Sequence, residues 1–275
     1  MRADLHVHST ASDGTLTPSQ LVDRARRNNV DVLAIADHDS VEGLAESSAA
    51  AEAVRIILVP AVELSSVFGD RDVHILAYFV DASSPALGEQ LARLRAARRL
   101  RAEAMVVALN DAGYSISIDD VLAISGGGAV GRSHVARALV DAGHAETVAR
   151  AFQTLIGRDM PFYVAKRSAS PSEVIEGVRK LGAIPVLAHP GVTDVDELIP
   201  EMVAAGLLGI EAYHADHTPE QSQRYAALAE RLGLLVTGGS DFHGPEAPNP
   251  DIGAADVPED AVRALLAAGK RLGSR

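Results

Sequence analysis

Apolar residues fall into short runs, separated by longer stretches in which they recur every three or four positions. Seven runs have the length and the β-branched character of strands: 4–8, 31–36, 56–63, 73–80, 184–188, 208–213 and 234–238. The spacing between most of them is helical, and strand-then-helix repetition predicts parallel strands joined by right-handed crossovers. The run 73–80 follows a turn at Gly69-Asp70, so an antiparallel hairpin is the alternative there.

Three of the helical stretches begin with the same short motif. Each has a hydroxyl residue at the N-cap, proline at the first helical position and Glu or Gln at the third. The motifs are Thr17-Pro18-Ser19-Gln20, Ser170-Pro171-Ser172-Glu173 and Thr218-Pro219-Glu220-Gln221. They predict that helices start at residues 18, 171 and 219.

The segment 85–168 interrupts the alternation, because it contains helical stretches and no clear strand. We expect a helical insertion domain that covers the active site, between two parts (1–84 and 169–275) of one discontinuous domain. Seven strands closing on themselves would form a TIM-like α/β barrel. An open doubly wound sheet is the competing fold, but no GxGxxG motif follows the first strand.

Composition limits the chemistry that is available. The 275 residues include no cysteine, so a metal site would use nitrogen and oxygen ligands, which favours zinc, manganese or iron. The net charge of −12 argues against binding to duplex nucleic acid or to membranes. We find neither a basic and apolar leader nor an apolar run long enough to span a bilayer, and therefore expect a soluble cytoplasmic protein.

Histidines and carboxylates cluster where the predicted strands end. His6 and His8 lie two positions apart in an extended run, so they share one face, and Asp13 follows in the next loop. The ends of the other predicted strands, or positions close to them, carry His38, Glu63, His74, His189, Asp241 and His243. Each residue alone would more often be an ordinary core or surface residue. Because the carboxyl ends of barrel strands gather at one face, the joint pattern predicts a metal centre.

Nine potential ligands are too many for a single ion. They suit two or three divalent ions, with Mn, Zn or Fe as cofactors, and Glu63 is the best bridging candidate because a carboxylate has two oxygens. Asp4 and Asp37 are positioned to orient histidines from behind. A metal-bridging hydroxide in such a cluster would attack a phosphate ester, while amide or lactone hydrolysis stays open.

The order of these motifs resembles that of the PHP (polymerase and histidinol phosphatase) superfamily over nearly the whole chain. The resemblance implies a distorted seven-stranded (β/α)7 TIM-like barrel with two or three metal ions. It also implies three ligand sets: His6, His8, Glu63 and Asp241; Glu63, His74 and His189; and Asp13, His38 and His243.

Within the superfamily, the helical insertion and the segment 131–137 look most like nucleotide-directed phosphoesterases. This likeness implies that Arg132, Ser133 and His134 bind a substrate phosphate and that His214 and His217 also reach the substrate. His217 would then be a catalytic general acid, although a structural histidine before the Thr218 cap is the alternative. A glycine-rich loop that leads into a helix with an arginine beside it also suits an anion.

These expectations lead to a hydrolase that acts on a small nucleotide, most simply a 3′,5′-nucleoside bisphosphate that loses its 3′ phosphate. The alternatives are a 5′→3′ exonuclease on short 5′-phosphorylated RNA, a 5′-nucleotide (AMP) phosphohydrolase, a histidinol-phosphate phosphatase and a metal-dependent module without turnover. The arginines between positions 93 and 101 either form a solvated helix face or attract a polyanion. The oligomeric state stays open.

Overall fold

The computed structural model describes residues 1–166, 168–247 and 250–272. Its strands are β1 (Ala3–Val7), β2 (Val32–Ile35), β3 (Ile57–Leu58), β4 (Ala61–Phe68), β5 (Arg71–Tyr78), β6 (Ile184–Leu187), β7 (Gly209–His214) and β8 (Leu235–Gly239). Its helices are α1 (Pro18–Arg27), α2 (Leu44–Val54), α3 (Pro85–Asp111), α4 (Ile118–Ile124), α5 (Arg132–Asp141), α6 (Val148–Ala151), α7 (Pro171–Lys180), α8 (Pro190–Thr193), α9 (Ile199–Ala204), α10 (Pro219–Leu232) and α11 (Glu259–Leu272).

The strands lie in two sheets within a mixed α/β fold. One sheet has the order β1-β2-β3 and is parallel, and the other has the order β4-β5-β6-β7-β8. In the second sheet β5 is antiparallel to both β4 and β6, while β6, β7 and β8 are parallel. Isolated bridges link the sheets, between Val7 and Phe242 and between His38 and Glu63. Since neither sheet closes on itself, the seven-stranded barrel predicted from the sequence is not confirmed.

One strand boundary and one strand direction differ from the simplest sequence prediction. The run 56–63 is not one strand, because it divides around Pro60 into β3, which pairs with β2, and β4, which pairs with β5. A proline has no N–H to donate to a ladder, so a break there is expected. The hairpin alternative for 73–80 is confirmed, and Gly69 in its turn has a φ of +62° that suits glycine.

The three repeated helix starts are confirmed. The side chains of Thr17, Ser170 and Thr218 each accept a hydrogen bond from the backbone N–H of the residue three positions later. The side chain of that later residue accepts a hydrogen bond from the backbone N–H of the capping residue. Each of these helices follows the capping residue with a proline. This local chemistry fixes where α1, α7 and α10 begin.

Helix α3 joins two hydrophobic clusters. Its first half packs Leu87 and Leu91 against the five-stranded sheet. Its second half packs Met105 and Leu109 into a separate cluster with residues of α4, α5 and α6, which extends to Ile156. The predicted insertion therefore has its own apolar core, although its boundaries at 85 and 168 stay a prediction. Among the described residues, no helix is both long and apolar enough to cross a membrane.

Candidate metal centre

The first group of predicted ligands converges on the end of β1. The Nε2 atoms of His6 and His8 lie 3.1 Å apart. Oε2 of Glu63, from β4, lies 3.4 Å from both of these nitrogens, and Oδ1 of Asp241 lies 3.0 Å from Nε2 of His8. All four residues are largely or fully buried. Strands from the two ends of the chain thus supply one cluster.

Glu63 has histidines on both of its oxygens. Oε1 lies 2.9 Å from Nδ1 of His74 and 3.1 Å from Nε2 of His189. Oε2 lies 2.7 Å from Nδ1 of His38. This arrangement fits the bridging role expected for Glu63, because its two oxygens face different sets of ligands.

Asp13 organises the third group. Its Oδ1 lies 3.3 Å from Nε2 of His243 and 4.0 Å from Nδ1 of His8. The rings of His8 and His243 stack with 4.1 Å between their centroids. Together with His38, these residues have ligand atoms close enough to share one ion. All nine predicted ligands therefore meet in one centre, with His8 and His38 each within reach of two groups.

The contacts in this centre suit metal ligands better than hydrogen-bonded side chains. Asp13 Oδ1, His38 Nδ1, Glu63 Oε2 and His74 Nδ1 are buried and have no hydrogen-bond partner. His38 Nδ1 and Glu63 Oε2 are only 2.7 Å apart, yet they lack hydrogen-bond geometry. Buried polar atoms normally find a partner, so the convergence of unpaired nitrogen and oxygen atoms fits divalent ions.

The ionisable side chains of this centre shift one another's pKa values. Burial would lower the pKa of His243, but Asp13 and Asp241 raise it to about 10. Burial outweighs the attraction of Glu63 at His38 and lowers the pKa of that histidine to about 3. Burial would raise the pKa of Glu63, but the neighbouring His38 and His74 hold it well below its usual value. His243 must therefore lose a proton before it can bind an ion.

A cavity of about 100 Å³ opens beside the centre. Asp13, His38 and His74 line one side, and the other side carries four cations: Arg98, Arg101, Arg132 and Lys166. We call these four residues the cationic pocket. Asp39 and Asp72 hold its side chains in place.

Comparison with known proteins agrees with this geometry. The PHP domain family matches residues 4–158, which is more than half of the chain. The chain belongs to the PHP domain family. It is 36% identical over 262 residues to the 3′,5′-nucleoside bisphosphate phosphatase of Chromobacterium violaceum, covering 93% of this chain and 92% of that protein.

Two further relatives cover most of this PHP domain chain. The 5′-3′ exoribonuclease of Haemophilus influenzae is 36% identical over 247 residues, which is 88% of this chain and 90% of that protein. A solved structure from Bifidobacterium adolescentis, described as a predicted metal-dependent phosphoesterase, superposes with a TM-score of 0.90 at 38% identity. That superposition covers 99% of this chain and 98% of the other.

Asp72 holds most of the cationic pocket of the PHP domain protein in place. Its Oδ2 lies 3.0 Å from Nη1 of Arg101 and 3.2 Å from Nη2 of Arg132, and its Oδ1 lies 3.6 Å from Nζ of Lys166. Burial would raise the pKa of Asp72, but Lys166 and Arg101 hold it below its usual value. One carboxylate thus gathers three cations, which leaves the pocket positive.

Arg98, Arg101, Lys166 and Asp72 were not predicted as site residues. The sequence did indicate the arginines between positions 93 and 101, either as a solvated helix face or as a group that attracts a polyanion. Neither interpretation describes all of these arginines. Arg98 is buried and pairs with Asp39 and Ser65, whereas Arg99 is exposed and pairs with Glu103. The helical spacing of Arg98 and Arg101 places them on one face, and this was the available signal.

The two predicted supporting carboxylates have different roles. Asp37 accepts hydrogen bonds from the hydroxyls of Ser9 and Ser12, and the Ser12 hydroxyl lies 3.5 Å from Nδ1 of His8. Asp37 therefore supports His8 through Ser12. Asp4 accepts from the backbone N–H groups of Ser240 and Gly253, so it ties β1 to the segment after β8. Its only hydrogen bond to His6 is from the backbone N–H, not from the ring as expected.

The carboxylate that contacts the ring of His6 is Glu211, which sequence reasoning missed. It is fully buried on β7, with Oε1 3.1 Å from Nδ1 of His6. Its Oε2 accepts the backbone N–H of His189 at 2.8 Å. Burial would raise the pKa of Glu211, but His6 lowers it. The signal was present, since Glu211 is the one charged residue in the apolar run 208–213.

The predicted phosphate-binding segment is only partly oriented toward the cavity. Arg132 reaches the cationic pocket, and its guanidinium lies over the ring of Tyr163. The Ser133 hydroxyl donates to Oδ2 of Asp13 at 2.8 Å, so it contacts a predicted metal ligand. His134 is buried, and its Nδ1 accepts the N–H of Gly131 at 2.8 Å. His134 thereby caps the start of α5, which does not fit the expected grip on a phosphate.

The two histidines after Tyr213 also differ in their surroundings. His214 turns its Nε2 toward Oδ2 of Asp241, at 3.7 Å, and therefore faces the centre. His217 donates from Nδ1 to the carbonyl of Ala212, and its Nε2 accepts the N–H of Gly191. Burial lowers the pKa of His217. With both nitrogens bonded to backbone, His217 does not fit the general acid predicted from the family resemblance, and the structural alternative describes it better.

Proposed function

We propose that this protein is a metal-dependent phosphoesterase that removes the 3′ phosphate from a 3′,5′-nucleoside bisphosphate. The observation that carries the proposal is the shared cavity, in which three predicted metal ligands face the four residues of the cationic pocket. A substrate with two phosphates suits both walls. The name of the Chromobacterium violaceum relative supports the same substrate class.

The metal centre holds two or three divalent ions in this proposal. The support comes from three overlapping groups of predicted ligand atoms that each lie within reach of one ion. When bound, the ions supply Lewis-acid stabilisation of the phosphoryl group and an activated water molecule. The ions are Mn, Zn or Fe, since every ligand is a nitrogen or an oxygen.

The cationic pocket binds the phosphate that does not react. Arg101 and Arg132 present planar guanidinium groups that suit phosphate oxygens, and Lys166 adds a third charge. Asp72 keeps these groups converged before the substrate arrives, because it contacts all three. A second phosphate fixed there orients the first one over the centre, which lowers the entropic cost of reaching the transition state.

The fold contributes by surrounding the centre. We infer that the two sheets act together as one barrel-like wall, because backbone hydrogen bonds connect the sheets at both of their junctions. The N–H of Asp241 donates to the carbonyl of His6 at 2.8 Å, and the N–H of Glu63 donates to the carbonyl of Asp37 at 3.1 Å. The insertion covers the centre in this proposal, supported by the bond from Ser133 to Asp13.

A second candidate is 5′→3′ exonuclease activity on short RNA. The name of the Haemophilus influenzae relative favours it, and a 5′ phosphate suits the cationic pocket equally well. The scissile group would then be the next phosphodiester, which offers the centre the same phosphoryl chemistry.

A substrate panel tests the proposal. We would assay 3′-phosphoadenosine 5′-phosphate, AMP, short 5′-phosphorylated RNA and histidinol phosphate, each with manganese, zinc and iron. The bisphosphate should give the highest kcat/KM and yield AMP. A preference for RNA would select the second candidate, and a preference for histidinol phosphate or a lack of turnover with every metal would contradict both.

A further inference from the structure

Glu211 lies between two predicted ligands that belong to different metal ions. Its Oε1 and Oε2 lie 3.1 and 3.3 Å from Nδ1 of His6, and Oε2 also accepts the N–H of His189. The side chain is fully buried, and it is not among the nine predicted ligands. A buried carboxylate in this position needs a structural reason.

The ring of His6 has two distinct sides. Its Nε2 faces the centre, 3.1 Å from Nε2 of His8 and 3.4 Å from Oε2 of Glu63, while its Nδ1 faces Glu211. An ionised carboxylate only accepts hydrogen bonds, so Nδ1 must carry the proton. The lone pair of Nε2 is then directed into the centre, where an ion would bind.

The second contact of Glu211 stabilises an unusual backbone. His189 has φ +28° and ψ 55°, in the left-handed region that non-glycine residues rarely adopt. The bond from its N–H to Glu211 helps to hold this conformation, and the His189 ring then reaches Oε1 of Glu63 at 3.1 Å. One carboxylate thus contacts two predicted ligands, His6 on β1 and His189 at the start of α8.

We propose that Glu211 is a positioning residue that selects Nε2 as the metal-binding nitrogen of His6 and fixes the backbone of His189. The inference rests on the metal centre of the proposed function and is independent of which phosphate ester is the substrate. Direct coordination by Glu211 is the rival interpretation, because its oxygens lie near ligand atoms of His6 and His214.

The variant Glu211→Gln tests the proposal. Its amide keeps one oxygen for the N–H of His189 but turns an N–H₂ donor toward Nδ1 of His6, so the proton of the ring moves to Nε2 and blocks the metal-binding atom. Zinc affinity, measured by elemental analysis after equilibration at graded free zinc, should fall by about 10-fold to 100-fold. The ion count at saturation should stay that of the wild type. The control variant is Glu230→Gln, at an exposed position of α10.

Two results would overturn the proposal: an affinity equal to that of the wild type, or the loss of one ion at saturating zinc, which would make Glu211 a ligand. A measurement without a variant covers the case in which Glu211→Gln does not fold. In zinc-loaded wild-type protein, nitrogen NMR of His6 should show a protonated Nδ1 and a coordinated Nε2. The reverse assignment would refute the proposal. If Glu211→Gln weakens zinc binding but the wild-type protein hydrolyses no nucleotide, the positioning role stands and only the proposed substrate is contradicted.

Discussion

At the scale of single residues, three side chains of the centre are each held by one identifiable partner. Ser12 links Asp37 to His8, Glu211 faces His6, and Ser133 donates to Asp13. Such partners keep ligands in productive orientations, and their loss usually weakens metal binding by about 10-fold to 100-fold. The centre therefore depends on residues that would not coordinate an ion themselves.

Lys166 should give phosphate binding a dependence on pH. Burial and the nearby Arg98 lower the pKa of Lys166 to about 8, although Asp72 opposes them. Its positive charge is present below that pH and is lost above it. We expect the KM for a nucleoside bisphosphate to rise as the pH increases from 7 to 9, since a phosphate monoester is already a dianion in this range.

The variant Lys166→Arg is the matched control, because an arginine keeps its charge throughout this range. Its KM should lose the rise near pH 8 that the wild type shows. Steady-state kinetics at several pH values measures both proteins. A rise that persists unchanged in Lys166→Arg would assign the titration to another group.

At the scale of elements, local signals predicted local structure well. The capping boxes and the hairpin that turns at Gly69 depend on neighbours in sequence. The capping boxes were predicted correctly, and the hairpin was the alternative named for the run 73–80. The break at Pro60 was missed, although the missing N–H of proline is a local signal too. The grouping of Arg98 with Asp39 could not be predicted, because it depends on how α3 passes over the centre.

The cap of α7 allows a test of helix stability away from the chemistry. Ser170→Ala removes the hydroxyl that accepts the N–H of Glu173. We expect the free energy of unfolding to fall by about 1 kcal/mol, which lowers Tm by about 2 °C in a chain of this size. Thermal unfolding followed by circular dichroism measures this shift in Tm.

The control variant Ser170→Thr keeps a capping hydroxyl, so its Tm should lie close to that of the wild type. A Tm for Ser170→Ala equal to that of the wild type would show that the cap contributes nothing to stability.

At the scale of the whole molecule, the centre joins the two ends of the chain. His6 lies on the first strand and Asp241 follows the last one, and isolated bridges connect the sheets on both sides. The sequence predicted that the nine ligands would meet because strand ends gather at one face. It could not predict the two separate sheets, since closure depends on strand pairing across long distances in sequence.

Metal uptake should release protons. In the metal-free protein Asp13 and Asp241 raise the pKa of His243 to about 10, and nearby carboxylates also raise those of His6 and His189. The ring of His243 is therefore protonated at pH 7 and must lose a proton to bind an ion, so metal affinity should increase with pH. Titrating the metal-free protein with zinc in a weakly buffered solution should release about one proton or more per chain. Uptake without any release would contradict the charge states described here.

The central claim is that the centre and the cationic pocket bind two phosphates of one substrate, and Arg132→Gln tests it most directly. Its kcat/KM for 3′-phosphoadenosine 5′-phosphate should fall by about 10-fold to 100-fold, as expected for the loss of a charge-assisted contact. Its kcat/KM for p-nitrophenyl phosphate, which has a single phosphate, should change less than about threefold. The control Arg99→Gln, on the exposed side of α3, should resemble the wild type with both substrates. Equal losses for the two substrates, or no loss for the bisphosphate, would contradict the account.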